Sequence, residues 1–277
     1  MNWIQSAWVG FLSGLSELLP VSAQAHRGLY CHMMGVEAAG LLQRLCCHIA
    51  ILAVLLLAGN LELRRLYRTH KLLKTPTRRR TGRPELNSGG TLRMLRSAVL
   101  LAVLGRLLSV PLSFIGDRLW MLLLPLLLSG LILWLPTQMP TANKDGRHLT
   151  AADGALMGLG ALLAAIPGLS GVGAVTAIGS MRGARRDYAL RFAWILSGVG
   201  LATAIVMDLV VLARTGFSAA LPELLTAAAG GLAAAVGAFL AIQLARALIR
   251  PGRSGLGIFC YFNWGLALLC GVLFLLV

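Results

Sequence analysis

Long apolar blocks, separated by short polar or basic stretches, are the dominant pattern of the chain. The blocks are roughly 17 to 25 residues long, which is enough for an α-helix to cross a hydrocarbon core of about 30 Å. The strands of a membrane barrel would instead give short segments of alternating polarity. The pattern therefore predicts an all-α polytopic membrane protein with six transmembrane helices, at 41–58, 94–114, 119–137, 190–212, 222–245 and 256–277.

Two further apolar stretches, 3–35 and 153–181, are each bent by a proline. The first bend has the sequence LLPVSAQAH (18–26) and the second has the sequence AIPGLSGVGA (165–174). The arms of the second stretch are about 13 residues long, too short to cross a bilayer. Irregular backbone at membrane depth is tolerated only where it is buried in protein or lines a cavity. We therefore expect both stretches to form re-entrant helical hairpins.

Basic residues give the predicted spans an orientation. Ten of the 25 Lys and Arg residues lie between Arg64 and Arg93, and the basic stretches as a whole are 59–93, 182–191 and 246–253. Loops rich in Lys and Arg stay in the cytoplasm. With these three stretches in the cytoplasm, the six predicted spans alternate across the membrane without conflict.

The predicted elements then follow the order hairpin, three spans, hairpin, three spans, and the two halves start from opposite sides of the membrane. This order indicates a single integral membrane domain over 1–277, built from inverted-topology repeats at about 1–137 and 153–277. In membrane proteins with this plan, substrate sites form at the interface between the repeats, near the midplane. We therefore expect the two bends to meet in the middle of the fold.

Composition agrees with a membrane protein and narrows the choice of partners. The chain is 57% hydrophobic and 13% charged, with a net charge of +15, whereas about 25% of the residues are charged in a soluble domain. The basic stretch 59–93 suggests either a nucleic-acid patch or a cytoplasmic loop. Because apolar spans flank the stretch, we favour the loop, which predicts contact with membrane lipids and no nucleic-acid partner.

Two acidic residues lie inside apolar segments. Glu17 precedes Pro20 by three residues, and Asp208 lies near the external end of the span 190–212. An ionisable group inside a membrane is costly and is by default a functional candidate. Glu17 therefore becomes the leading candidate for chemistry, while Asp208 remains open between a functional role and simple solvation at the interface.

Polar residues cluster at the two bends. His26 follows the first bend, where an imidazole can act as a base or nucleophile, although a lone histidine is more often structural. Ser22 and Ser170 occupy equivalent places in the two bends, and their hydroxyls can bond freed backbone groups or phosphate oxygens. The backbone N–H groups of 168–171 can form an anion-binding nest, or the glycines there can serve close packing alone.

Three motifs carry a resemblance to a known family. They are SGLSELLPVSAQAH (13–26), PGLSGVG (167–173) and RRDYALRFAWIL (185–196). They resemble the patterns E-G-L-T-E-F-L-P-V-S-S-x-x-H, P-G-x-S-R-S-G and R-x-x-A-x-x-F-S-F-L of the bacterial undecaprenyl-diphosphate phosphatase family, also known for bacitracin resistance. The resemblance also implies six spans and two hairpins.

The resemblance implies a function. Members of the family hydrolyse undecaprenyl diphosphate to the monophosphate, which recycles the lipid carrier for peptidoglycan and cell-wall synthesis. They lie in the bacterial inner membrane as multi-pass proteins, with the site open to the outer face, and their activity uses a divalent cation. The resemblance therefore implies a polyprenyl diphosphate as the substrate and Mg²⁺ or Ca²⁺ as the cofactor.

The family's site residues can be carried over only where the motifs match. Glu17 and His26 take catalytic positions, with Glu17 also the metal ligand, while Ser22 and Ser170 take substrate-binding positions. Gly171 stands where the second motif has its arginine. Arg27 is a candidate substrate-binding residue that could partly replace this arginine from the other bend, although nothing in the sequence requires it.

Three positions depart from the family pattern. Ser13 replaces the first glutamate, Ala23 replaces the second serine of the first motif, and Gly171 replaces the arginine. A single carboxylate binds hard cations less well than two do, and a missing arginine removes a bidentate phosphate clamp. Two functions therefore stay open: hydrolysis of a polyprenyl diphosphate, or a catalytically impaired relative that binds or translocates a polyprenyl-phosphate lipid.

Overall fold

A computed structural model describes residues 2–36, 39–79, 81–140, 143–216, 220–250 and 255–276 of the chain. The side chain of Asp117 is also outside the description. The predicted basic stretches 59–93 and 246–253 therefore lie partly outside the described residues.

The described residues fold into α-helices joined by short turns, so the predicted all-α class is confirmed. The helices are α1 (Trp3–Leu18), α2 (Ala23–Met34), α3 (Leu41–Ala58), α4 (Asn60–Lys74), α5 (Leu86–Leu108), α6 (Leu119–Trp134), α7 (Ala151–Leu163), α8 (Gly171–Met181), α9 (Arg186–Thr215), α10 (Leu221–Leu248) and α11 (Leu256–Leu276). Short 3₁₀ turns lie at Thr77–Arg79, Ser113–Asp117 and Leu135–Thr137.

Among the residues that the structure describes, five helices are long and apolar enough to cross a membrane: α3, α6 with the 3₁₀ turn that follows it, α9, α10 and α11. These helices coincide with five of the six predicted spans, and the chain is a multi-pass membrane protein. The remaining predicted span, 94–114, has the wrong boundaries. Its helix α5 begins eight residues earlier, at Leu86, and ends at Leu108, three residues before Pro111. It also carries Arg93, Arg96 and Arg106.

The basic stretch after α3 is also more ordered than a loop. Helix α4 carries five Lys and Arg residues, and its apolar side is largely exposed, with Leu61 and Tyr67 among its exposed residues. A basic amphipathic helix of this kind is suited to the surface of a bilayer.

Helix packing follows a reciprocal pattern. Helix α1 packs on α10 and helix α7 packs on α5, while α3 packs on α10 and α9 packs on α5. The pairs α6–α11 and α3–α9 complete the arrangement. The main contacts of α1, α3, α5 and α6 thus match those of α7, α9, α10 and α11, whereas the packing of α8 on α9 has no matching contact of comparable size between α2 and α3.

Glycines let the first helix of each hairpin approach its partner closely. A Cβ atom added at Gly14 of α1 would lie 2.0 Å from the carbonyl oxygen of Ala234 in α10. A Cβ atom added at Gly154 of α7 would lie 2.5 Å from the Cα atom of Met94 in α5. Small residues at such spacing drive helix association in membranes because they let backbones touch.

Both predicted hairpins break where proline predicts. Helix α1 ends at Leu18 and α2 begins at Ala23, whereas α7 ends at Leu163 and α8 begins at Gly171. Gly168 in the second break has a φ of +98°, and a Cβ atom there would lie 2.6 Å from the Cβ of Pro125 in α6. Only glycine meets both conditions without strain.

A polar cavity where the two bends meet

Side chains from distant helices satisfy the backbone groups that the first bend frees. The indole N–H of Trp194 in α9 donates to the carbonyl oxygen of Leu18 at 2.9 Å. The side-chain amide of Asn263 in α11 donates to the carbonyl oxygen of Pro20 at 3.1 Å. Unsatisfied backbone groups away from water cost several kcal/mol, so these two bonds stabilise the bend.

The two bends touch each other, as the repeat order predicts. The backbone N–H of Gly168 donates to the Ser22 hydroxyl oxygen at 3.1 Å. Ser22 caps α2 and Ser170 caps α8, and the Ser170 hydroxyl oxygen accepts from the backbone N–H of Gly173 at 3.0 Å. Ser22 is 1% exposed and lines neither cavity described below, so its hydroxyl joins the two bends without facing a cavity.

A small cavity of about 90 Å³, the bend cavity, lies where the bends meet. The first residues of both α2 and α8 line it, so two helix N-termini converge there. Free N–H groups and the helix dipole make such termini favourable for anions. The polar residues that line the bend cavity are Ser16, Glu17, Gln24, Arg27, Arg106, Ser109, Ser170 and Ser197.

Three side chains of the bend cavity have unused polar groups. Neither the Glu17 carboxylate nor the Arg27 guanidinium forms a hydrogen bond or an ion pair with any residue that the structure describes. The Oε1 atom of Gln24 is buried and also lacks a partner in the described part of the chain. Glu17 and Arg27 are half-buried, and a buried polar atom such as Gln24 Oε1 nearly always has a partner, so these three groups are available for a polar ligand.

A larger cavity of about 830 Å³, the wide cavity, adjoins the first. Both cavities are lined by Gln24, Arg27, Arg106 and Ser109. The wide cavity extends along α2 to Val36 and along α9 to Val211. Its volume is within the range typical of sites for small molecules and cofactors.

A chain of ionisable side chains crosses the wall of the wide cavity. Arg106 Nη2 donates to His48 Nε2 at 2.7 Å, and His48 Nδ1 donates to Asp208 Oδ2 at 2.8 Å. Arg44 Nε donates to Asp208 Oδ1 at 2.9 Å. Asp208 is 4% exposed. The interpretation of Asp208 as a carboxylate solvated at the interface is therefore wrong, because it is buried and paired.

His26 lies outside both cavities. Its Nδ1 atom lies 2.6 Å from the carbonyl oxygen of Ser22, to which it donates. Its ring stacks on Phe262 of α11, with the centroids 5.4 Å apart and the planes 8° from parallel. The face of α2 that lines the cavities begins at Gln24 and includes Arg27. Since a helix turns about 100° per residue, His26 points to nearly the opposite side from Gln24.

The structure therefore brings together some of the predicted site residues and not others. The bend cavity is lined by Glu17, Arg27, Ser170 and Gly171. Neither Ser22 nor His26 lines either cavity. The expectation that Glu17 and His26 line one cavity is not met, because the cap at Ser22 sets the register of α2.

Sequence analysis missed Gln24, Arg44, His48 and Arg106. An ionisable group inside a membrane is costly whether it is acidic or basic. The same rule applies to Arg44 and His48, which are four residues apart in α3, and to Arg106 near the end of α5. Gln24, Arg27, Gly28 and Cys31, which line the cavities, have the spacing of one helix face.

Two of the three positions that depart from the family pattern, Ser13 and Gly171, also have a clear geometry. The Ser13 hydroxyl donates to the Val9 carbonyl oxygen at 2.7 Å, and Ser13 lines the wide cavity, not the bend cavity. Gly171 does not have a positive φ. A Cβ atom there would lie 2.8 Å from the Cβ of Ala164, so a larger residue at 171 requires Ala164 to move.

The residues around Glu17 do not fit a resident divalent cation. The described residues contain no group of three or more His, Cys, Asp or Glu side chains placed to hold a metal. Glu17 is the single carboxylate among the described lining residues of the bend cavity, and the guanidinium groups of Arg27 and Arg106 share that lining. Mg²⁺ and Ca²⁺ need several oxygen ligands, and two neighbouring positive charges oppose either ion.

Comparison with known proteins agrees with the motifs. Three proteins named Undecaprenyl-diphosphatase align with nearly the whole chain. The protein from Carboxydothermus hydrogenoformans is 27% identical over 95% of this chain and 94% of its own length. The protein from Methanobrevibacter smithii is 28% identical over 95% of both chains, and that from Rubrobacter xylanophilus is 26% identical over 100% of both. Residues 6–269 match the family described as Bacitracin resistance protein BacA, and the chain belongs to that family.

Proposed function

We propose that this protein hydrolyses a polyprenyl diphosphate, with undecaprenyl diphosphate as the substrate, to the monophosphate and inorganic phosphate. The reaction recycles a lipid carrier of cell-wall synthesis. The observation that carries the proposal is the bend cavity, where two helix N-termini meet the Glu17 carboxylate and the Arg27 guanidinium, neither of which has a partner in the described part of the chain. The family membership and the printed name of the three relatives supply the substrate class.

In the proposed reaction, Glu17 is the general base. A water molecule attacks the terminal phosphorus, and Glu17 takes the proton that the water loses. The bond from that phosphorus to the bridging oxygen breaks, and the bridging oxygen leaves with the lipid monophosphate. Arg27 and the N-terminus of α8, with Ser170, bind the phosphate oxygens, whose charge increases in the transition state. No step is assigned to a metal, since the donor set does not fit one.

His26 receives a different role from the one its motif suggests. Its Nδ1 atom donates a hydrogen bond to the carbonyl oxygen of Ser22, and its ring stacks on Phe262. These two contacts fix the start of α2. That position in turn orients Gln24 and Arg27 toward the cavities. We propose that His26 is a positioning residue.

The proposed topology has six spans, with α5 as the sixth, and two re-entrant hairpins, α1–α2 and α7–α8. The reciprocal packing of α1 on α10 and α7 on α5 supports the inverted repeat. The basic helix α4 then lies on the cytoplasmic side of the bacterial inner membrane. The wide cavity opens between the end of α2 and the end of α9, which is the outer face in this topology.

The test is phosphate release by the purified protein from undecaprenyl diphosphate in detergent micelles. Wild type should release phosphate, and Glu17→Gln, which keeps the shape but cannot take a proton, should not. Both proteins should bind undecaprenyl monophosphate, which checks that the variant is folded. Binding of the lipid by wild type without release of phosphate would contradict hydrolysis and leave a lipid-binding protein.

A further inference from the structure

Arg106 belongs to none of the family motifs in this chain, yet it lines both cavities. One of its Nη atoms donates to His48. Its other N–H groups have no hydrogen-bond partner among the residues that the structure describes. A guanidinium has five donors arranged as a fork that matches phosphate oxygens. Most of the binding capacity of Arg106 is therefore unused.

The partner of Arg106 is the second observation. An arginine that is largely removed from water is normally paired with a carboxylate, but Arg106, which is half-buried, contacts a histidine ring nitrogen instead. The carboxylate nearby, Asp208, is bonded to Arg44 and to His48 Nδ1. Because His48 Nε2 accepts from Arg106 and Nδ1 donates to Asp208, the ring is neutral. The chain of contacts thus orients the guanidinium and leaves its positive charge uncompensated by direct contact.

The charge around Arg106 is the third observation. Arg27 lines the same two cavities and has no ion-pair partner in the described part of the chain. Glu17 lines the bend cavity together with Arg106, yet the two form no direct ion pair. Among the described lining residues of the bend cavity, two guanidinium groups therefore face one carboxylate, and this excess of positive charge favours an anionic ligand.

We infer that Arg106 and Arg27 form a two-guanidinium clamp for the diphosphate group of the lipid substrate. Arg106 supplies from α5 the positive charge that Gly171 cannot supply from α8. His48 acts as a positioning residue, since it contacts Arg106 but does not line the bend cavity. The inference rests on the proposed function, because it names the residue that binds the substrate of that reaction.

The experiment compares Arg106→Gln with Arg96→Gln, which removes an exposed arginine from the same helix. Two probes are used: inorganic pyrophosphate and farnesyl diphosphate, the second of which has a lipid tail. Binding is measured as the rise in thermal unfolding temperature with probe concentration, which gives a Kd for folded protein. Phosphate release from undecaprenyl diphosphate is measured on the same samples.

We expect Arg106→Gln to raise the Kd of both probes, and the KM for undecaprenyl diphosphate, by about 10- to 100-fold. This is the effect of losing hydrogen bonds to a charged group. Arg106→Lys should recover a part of the loss, because lysine keeps the charge without the fork. Arg96→Gln should bind as wild type does. If Arg106→Gln weakens the binding of farnesyl diphosphate but not of pyrophosphate, Arg106 contacts the lipid-linked part of the substrate. That result would overturn its role as a diphosphate clamp.

An Arg106→Gln protein that unfolds at the wild-type temperature, binds both probes normally and keeps the wild-type KM would overturn the inference while leaving hydrolysis intact. If Arg106→Gln does not fold, Arg106→Lys decides instead: unchanged Kd values in that folded variant would also overturn the clamp. Pyrophosphate binding that depends on Arg106 in a protein that releases no phosphate would contradict the proposed function and not the clamp.

Discussion

The two hairpins have the same plan but contribute different groups. The first, α1–α2, brings Glu17, Gln24 and Arg27 to the bend cavity as charged or polar side chains. The second, α7–α8, has no ionisable residue between Ile166 and Ser180 and contributes Ser170 and the N-terminus of α8. The two hairpins therefore have corresponding helices, whereas the charged side chains of the bend cavity that belong to a hairpin come only from the first one.

Burial differs in the same way. In α8 the buried residues are Val172–Ala177 and Gly179, so neighbouring helices cover most of its surface. In α2 only Ala25 and Leu29 are buried. Few buried contacts are typical of segments that open or move. The comparison indicates that the second hairpin fixes the geometry, while the first presents the reactive groups beside a cavity.

The largest expected difference is between the acidic residue of the first hairpin and the hydroxyl of the second. Glu17→Gln should lower kcat by about 1,000-fold, because general-base catalysis contributes about 10²- to 10⁴-fold. Ser170→Ala should lower kcat/KM by only about tenfold, since it removes one hydrogen bond to a phosphate. Steady-state phosphate release measures both. Equal losses would contradict the assignment of the chemistry to the first hairpin.

The second prediction moves an arginine from α5 to the second hairpin. In an Arg106→Gln background, Gly171→Arg combined with Ala164→Gly should lower the KM again by about tenfold, because a guanidinium returns to the bend cavity. Ala164→Gly removes the Cβ that would lie 2.8 Å from the new one. Ala164→Gly without Gly171→Arg is the control. A KM that stays high in a folded protein would mean that position 171 cannot reach the substrate.

A smaller effect is expected at His26. His26→Ala should lower kcat/KM by about fivefold, the effect of one lost neutral hydrogen bond. His26→Asn should keep most of the activity, because its amide can donate to the Ser22 carbonyl from a similar position. A loss as large as that of Glu17→Gln, without recovery in the asparagine variant, would make His26 a catalytic group.

The smallest effect is expected from removal of divalent cations. Excess EDTA should change kcat/KM of the wild type by less than about twofold, because one carboxylate beside two guanidinium groups holds a divalent ion poorly. Activity with and without added Mg²⁺ or Ca²⁺ measures this. Ser13→Glu is the matched comparison, because it would add a second carboxylate one turn before Glu17. In this variant kcat/KM should rise with added Mg²⁺ or Ca²⁺ and fall in EDTA. Complete loss of wild-type activity in EDTA would contradict the clamp as the main source of positive charge.

Apolar length and proline placement determined the broad architecture from the sequence. Five predicted spans coincide with long apolar helices, and both hairpins break at the predicted prolines, because a bilayer requires helices of a minimum length. The contact between the bends also followed from the order of the elements, and Gly168 N donates to Ser22 Oγ as that order suggests.

Only the tertiary structure decided which side chains share the site. The motif places Glu17 and His26 nine residues apart, but the cap at Ser22 sets the rotation of α2, and Arg27 faces the cavity while His26 faces Phe262. Arg106 is remote from every motif, and its place beside Arg27 depends on how α5 packs against α7 and α9. Spacing along the chain determines a helix and its faces, whereas the packing of helices determines which faces meet.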